Sequence, residues 1–247
     1  MIYLYDDSFM GLLNLINYLF KNKIIPTNIK NEYYETNLLD KTYYPTIEKD
    51  NNLVNRIINK IGNYAFITIY NVYQSNNKNK ELLIYEFLLN ALKYKDKICF
   101  RLDLECVNNS LKVSRYVTKE AHRFKGFIRF KEIKSGILYS EIEPENNILL
   151  ILSNHFKNRL KNEYWIIKDN KRNIISIYNK KDFYILDSND FNIDINLKDD
   201  CYEDMWKNFY NTIGIKERKN DKCRMNFMPK KYWKYILEVS DEKSSKQ

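Results

Sequence analysis

Three side chains in this sequence are the candidates to move protons in a reaction: Glu120, Glu143 and His155. Glu120 falls in a helical stretch, Leu111 to Phe124, on the same wheel face as Val113, Val117, Ala121 and Phe124. An ionised carboxylate on an apolar face needs a partner or a raised pKa. Glu120 is therefore either a buried acid or base, or the ion-pair partner of an arginine such as Arg129 or Arg159. His155 lies between Ile148 and Leu152 on the inward face of a second helical stretch, with Arg159 one turn further on. An active-site or anion-binding role and a satisfied polar network in the core are both open to it. Glu141 and Glu143 alternate on one side of a strand, opposite Ile142, so paired carboxylates for acid–base or metal work stand against a solvated sheet face. Sharing one pocket, Glu120, Glu143 and His155 would make the catalytic set of an enzyme acting on a damaged base or nucleotide.

The other chemistry is phosphate binding. Arg115, Lys119 and His122 occupy the wheel face opposite Glu120, and Arg123 and Arg129 alternate with Phe124, Phe127 and Phe130. Cations bind phosphates and aromatic rings offer stacking faces. Arg159 and Arg172 sit in a second basic segment. Arg218, Lys230 and Lys231 sit in a third, which also carries Tyr232 and Trp233. These last two rings either stack bases or pack the final helix onto the domain, and His122 is either a phosphate contact or simply solvated.

Charge distribution decides more than total charge. The chain has 41 Lys and Arg against 32 Asp and Glu, a formal +9, but Lys-, Asn- and Ile-rich composition inflates the total everywhere. Residues 1–111 carry 13 basic and 12 acidic side chains, whereas residues 112–134 carry 8 against 2, residues 157–172 carry 6 against 2, and residues 216–234 carry 8 against 2. Clusters that converge in space would attract a polyanion, and clusters that do not are three solvated surfaces.

Several classes fall away. Five glycines form neither a dinucleotide fingerprint nor a phosphate loop, and there is no serine nucleophile elbow. Cys99, Cys106, Cys201 and Cys223 have no metal-binding spacing, and two histidines without a close third ligand make a metal site doubtful. No cofactor is implied. Reduced thiols, Asp6 and Asp7 in place of a signal peptide's basic and apolar run, and no apolar run of about 18 residues predict a cytoplasmic protein that does not enter a membrane.

The elements that must position these residues read as α+β: antiparallel hairpins forming a sheet flanked by helices, with a mostly helical N-terminal part and C-terminal tail. Met1–Tyr5 reads as a strand, and Ser8 caps a helix through about Phe20. The Asn-rich stretch with Pro26 and Pro45 reads as irregular with some helix inside. Asn51–Ile61, ending at Gly62, and Glu81–Tyr94 read as helices around a loop at Gln74–Lys80. Leu111–Phe124 is a helix stopping near Gly126. Phe127–Phe130 and Ile137–Ile142 are then strands of a hairpin turning at Ser135-Gly136. A helix over Asn147–Leu160 precedes a second hairpin, Tyr164–Lys168 with Ile174–Tyr178, and a strand at Phe183–Leu186. Helices are expected over Cys201–Thr212 and Lys230–Leu237. The domain reading is 1–82, 83–238 and a flexible tail, 239–247.

Several segments together resemble one family. They are Tyr5-Asp6-Asp7-Ser8-Phe9; Lys119-Glu120-Ala121-His122-Arg123 with Gly126-Phe127-Ile128-Arg129-Phe130; Glu143-Pro144; His155-Phe156 with Arg159; Trp165-Ile166-Ile167 with Asp169 and Arg172; Glu217-Arg218-Lys219-Asn220; and Met228-Pro229-Lys230-Lys231-Tyr232-Trp233. The chain is similar to a family of unknown function carried by proteins labelled probable DNA metabolism protein. The C-terminal part of that family also occurs fused to uracil-DNA-glycosylase-like domains, and stand-alone members accompany a radical-SAM protein proposed to modify or repair DNA. The resemblance implies a DNA-associated accessory protein in repair or modification. Its partners would be single-stranded or damaged DNA and a radical-SAM enzyme, and no catalytic residue is carried over from the family.

Overall fold

The computed structural model describes residues 1–47, 49–133, 136–190, 205, 209, 212–213 and 220–236. The chain forms two compact units: Met1–Lys119 with Glu145–Asn147, and Glu120–Pro144 with Ile148–Gln247. It is a mixed α+β protein. No helix among the described residues is long and apolar enough to cross a membrane.

The first unit opens with β1 (Ile2–Tyr5), which turns at Asp6–Asp7 into α1 (Phe9–Lys21). The Ser8 hydroxyl caps this helix by accepting from Gly11 N at 2.9 Å. The Asn-rich stretch that follows is not irregular with helix inside. It supplies β2 (Asn28–Asn31) and β3 (Thr42–Tyr43), which pair parallel to β1 on either side, in the order β2-β1-β3. Ile29 is the one buried side chain of β2, and both residues of β3 are exposed, so neither strand carries an alternating pattern to read. Four further helical elements follow: α2 (Leu53–Ile61), α3 (Asn63–Gln74), α4 (Lys80–Tyr94) and a 3-10 turn over Lys95–Phe100. Gly62, at φ +81°, separates α2 from α3. Leu12, Leu15, Leu19, Ile29, Ile69, Val72, Ile84 and Phe87 form the centre of this unit's core.

Helix α5 (Glu105–Phe127) is longer at both ends than its apolar stripe suggests. Gly126 lies within it rather than ending it, and its backbone does not take the left-handed conformation of a stop. The hairpin strand therefore starts later, as β4 (Lys131–Glu132), antiparallel to β5 (Leu138–Ile142). Gly136, at φ +77°, donates its N–H to the Ile133 carbonyl in the turn. Helix α6 (Leu149–Arg159) then crosses over so that β6 (Trp165–Asp169) lies parallel to β5. Strands β7 (Ile174–Tyr178) and β8 (Phe183–Asp187) complete a mostly antiparallel sheet in the order β4-β5-β6-β7-β8. The two hairpins are thus joined by one parallel pair, because the α6 crossover returns the chain in the same direction. The tail adds α7 (Asp221–Phe227) and a 3-10 helix over Lys230–Tyr235. The helix expected over Cys201–Thr212 falls largely outside the described residues.

Candidate nucleic-acid interface

Most described site residues are positioned by α5, α6, the β6–β7 turn or the C-terminal 3-10 helix, while Arg129 follows α5 and Glu143 follows β5. Around α5 the buried arc holds Val117, Glu120, Ala121 and Phe124. Arg115, Lys119 and His122 lie on the exposed arc, Arg115 and Lys119 in the first unit and His122 in the second. Within the second unit, Arg123 and Phe127 flank one edge of the buried arc and Lys125 flanks the other. Glu120 is 3% exposed and is not without a partner.

At the Arg123 edge the third basic cluster meets the first. Tyr232 packs edge-on to Phe124 (ring centroids 5.3 Å apart) and against Phe127 (5.2 Å). The Arg123 guanidinium lies 5.9 Å from the Tyr232 ring centroid and the Lys231 ammonium 5.2 Å. Trp233 donates its indole N–H to the Met228 carbonyl at 2.8 Å, with Arg224 at 4.7 Å and Lys230 at 5.9 Å from its ring. Tyr232 is 2% exposed and Trp233 8%, so both rings are packing residues covered by their own cations. Lys230, Lys231 and Lys234 are exposed around them. Lys234 forms an ion pair with Glu143.

At the other edge, Lys125 and Arg159 act on His155. Burial first, then these two cations, push the half-buried imidazole below the usual histidine range and keep it neutral. Its ring packs edge-on to Phe156 at 5.0 Å, and Phe156 in turn meets Phe130. Arg159 is exposed.

Other predicted contacts serve the fold. Arg129 donates to the carbonyls of Gly126 (2.8 Å) and Ile128 (3.2 Å), which satisfies the end of α5 where its dipole favours a cation. Arg172 donates to the fully buried Asp169 carboxylate at 2.9 Å and to the Pro144 carbonyl at 3.3 Å. Asp169 also accepts the backbone N–H groups of Lys171 and Arg172, so this constellation shapes the β6–β7 turn. Arg218 lies outside the described residues.

Two of the three proton-moving candidates, Glu143 and His155, have different charged neighbours. Glu143 is exposed and held by Lys234, while His155 faces Lys125 and Arg159. No hydrogen bond or ion pair joins Glu143 to His155 among the described residues. The strand alternation is as expected: Glu141 and Glu143 are exposed and Ile142 is buried between them. Burial pushes the Glu141 carboxyl up, but hydrogen bonds from Asn170 and Tyr139, both 2.7 Å, with Lys168 and Lys234 nearby, leave it below the usual carboxylate range.

Sequence reasoning passed over Arg224 and Lys234, although both belong to the basic segment it counted. It also passed over Glu81, a 7% exposed carboxyl on α4 that accepts from the Tyr5 hydroxyl at 3.4 Å. Burial pushes this carboxyl up. Its spacing from the buried Ile84, Tyr85 and Leu88 is the helical signal that places it inward.

No curated protein matches the chain. The model of the family DUF4130, a domain of unknown function, matches residues 78–238, which include α4, the whole of α5 and every element after it, among them Arg123, His155 and Tyr232. A match over more than half of its length makes the chain a member of the DUF4130 family.

Proposed function

We propose that this protein binds the sugar–phosphate backbone of DNA through its second unit, as an accessory factor in a repair or modification pathway that includes a radical-SAM enzyme. The observation that carries this reading is the convergence of two basic segments, far apart in sequence, on one buried ring. Arg123 and Lys231 both lie over Tyr232, with Lys230 and Arg224 over the adjacent Trp233. Because the rings are enclosed, the contact is with phosphates and not by base stacking. Such binding tolerates sequence and weakens with salt. The resemblance to proteins labelled probable DNA metabolism protein supplies the repair setting and the radical-SAM partner.

The alternative, an enzyme acting on a damaged base, would need Glu120, Glu143 and His155 within hydrogen-bond reach of one substrate. The Lys234–Glu143 ion pair and the cationic surroundings of His155 favour the binding role instead. Incubation with intact, uracil-containing and abasic oligonucleotides separates the two. The accessory reading expects shifted but chemically unchanged strands from this protein alone, and new products only when the radical-SAM enzyme is added. Base loss or strand cleavage by the purified chain alone contradicts it.

A further inference from the structure

The first unit contains a site that the DNA reading does not use. In the order β2-β1-β3 the chain leaves β1 through α1 to reach one side and later crosses to the other, so the carboxyl end of β1 is a topological switch point. Connections diverge there and leave a crevice, which is where open parallel sheets hold ligands. A cavity of about 250 Å³ lies at this place. Its walls come from Tyr5 and Asp6 at the end of β1, Asn14 in α1, and Tyr44, Pro45 and Ile47 after β3.

The lining limits what fits. Asp6 packs so close to the start of α1 that a Cβ on Gly11 would lie 1.5 Å from its Oδ1. That oxygen accepts from the Ser8 hydroxyl at 2.6 Å. Its Oδ2 faces the Lys49 ammonium at 3.8 Å, beyond hydrogen-bond length, and so keeps acceptor capacity. Tyr44 is 52% exposed, which leaves ring surface for a ligand, while Pro45 is buried. The turn Asp6-Asp7-Ser8 contains no glycine, and of its two carboxylates Asp6 lines the crevice while Asp7 accepts from the Asn31 amide at 3.0 Å. The volume lies just below the range of pockets for drug-sized ligands, too small for a dinucleotide.

We infer that this crevice binds a nucleoside, its base against Tyr44 and Pro45 and its amino or hydroxyl donors on the Asp6 carboxylate. The Asp6 carboxylate disfavours a phosphate beside it, and Lys49, also on the lining, is mostly exposed, so the crevice favours the nucleoside over its phosphates. This inference does not depend on DNA binding by the second unit.

Calorimetric titration of the full chain with adenosine, guanosine, cytidine, uridine and thymidine, and with their 5′-monophosphates, tests it. At least one nucleoside binds saturably, and its monophosphate binds several-fold more weakly. Tyr44→Ala weakens the nucleoside about tenfold or more, the usual effect of losing a base–aromatic stack. Tyr44 is exposed, so circular dichroism of the variant stays native. Asp6→Asn weakens binding while narrowing the gap between nucleoside and monophosphate. Failure of all five nucleosides at millimolar concentration overturns the inference. So does equal binding by Tyr44→Ala, or tighter binding of monophosphates. Substituting Arg123, Lys230 and Lys231 leaves nucleoside binding unchanged, so the two sites stand or fall separately.

Discussion

A basic residue in a basic cluster is not thereby a phosphate ligand, and Arg172 shows why. Its guanidinium is the counter-charge of the fully buried Asp169, and removing it leaves a carboxylate in the core with only backbone N–H partners. Arg172→Met is expected to cost about 2–3 kcal/mol, the usual loss for a hydrogen bond to a buried charge, in urea unfolding. An effect within experimental error would show that Asp169 finds another partner. His155 gives a prediction in pH. Its folded pKa lies below the usual 6.5, so the unfolded chain binds the proton more readily. Its stabilising contribution is therefore present above pH 6.5 and is lost as the pH falls through that value towards the lower folded pKa. Subtracting the urea-midpoint profile of His155→Gln from that of the native protein should show this fall. A difference that grows as the pH falls contradicts the assignment.

At the scale of elements, two glycines make opposite predictions. Gly126 lies inside α5, and a methyl group in place of its hydrogen would meet nothing within 4 Å, so Gly126→Ala should stabilise the protein by about 0.5–1 kcal/mol. Gly62, at φ +81°, joins α2 to α3, and Gly62→Ala should destabilise it by about 1 kcal/mol or more. Thermal melts of the two variants should shift in opposite directions, and a loss of stability in Gly126→Ala would restore the reading of Gly126 as a stop. The helix does end within a residue of Gly126, as its apolar stripe suggests, but the end is made by Arg129 reaching back to the Gly126 carbonyl and not by a left-handed glycine. Helix α1 was legible from Ser8 and its apolar spacing, and β6 and β7 as short apolar runs on either side of the Asp169-Asn170-Lys171-Arg172 turn. Strands β2 and β3 were not, since three polar residues around Ile29 and two exposed ones gain their pairing only from β1.

For the whole molecule, the helical wheel correctly placed Glu120 inward and Arg115, Lys119 and His122 outward, because those directions follow from a local repeat. The meeting of Arg123 with Lys231 was not legible, because more than a hundred residues separate them and no local rule brings the 3-10 helix to α5. The same contact buries Tyr232, which removes it from base stacking and leaves the proposed DNA contact to phosphates alone. Its most direct test is the salt dependence of binding to a labelled single-stranded oligonucleotide, by fluorescence anisotropy between about 50 and 200 mM salt. With three or four phosphate contacts, log K should fall against log salt with a slope of about −2 to −3. Arg123→Ala/Lys230→Ala/Lys231→Ala, with native circular dichroism, should bind at least tenfold more weakly at low salt with a slope flatter by about 2. No binding at the lowest salt, or an unchanged slope in the triple variant, would contradict the account.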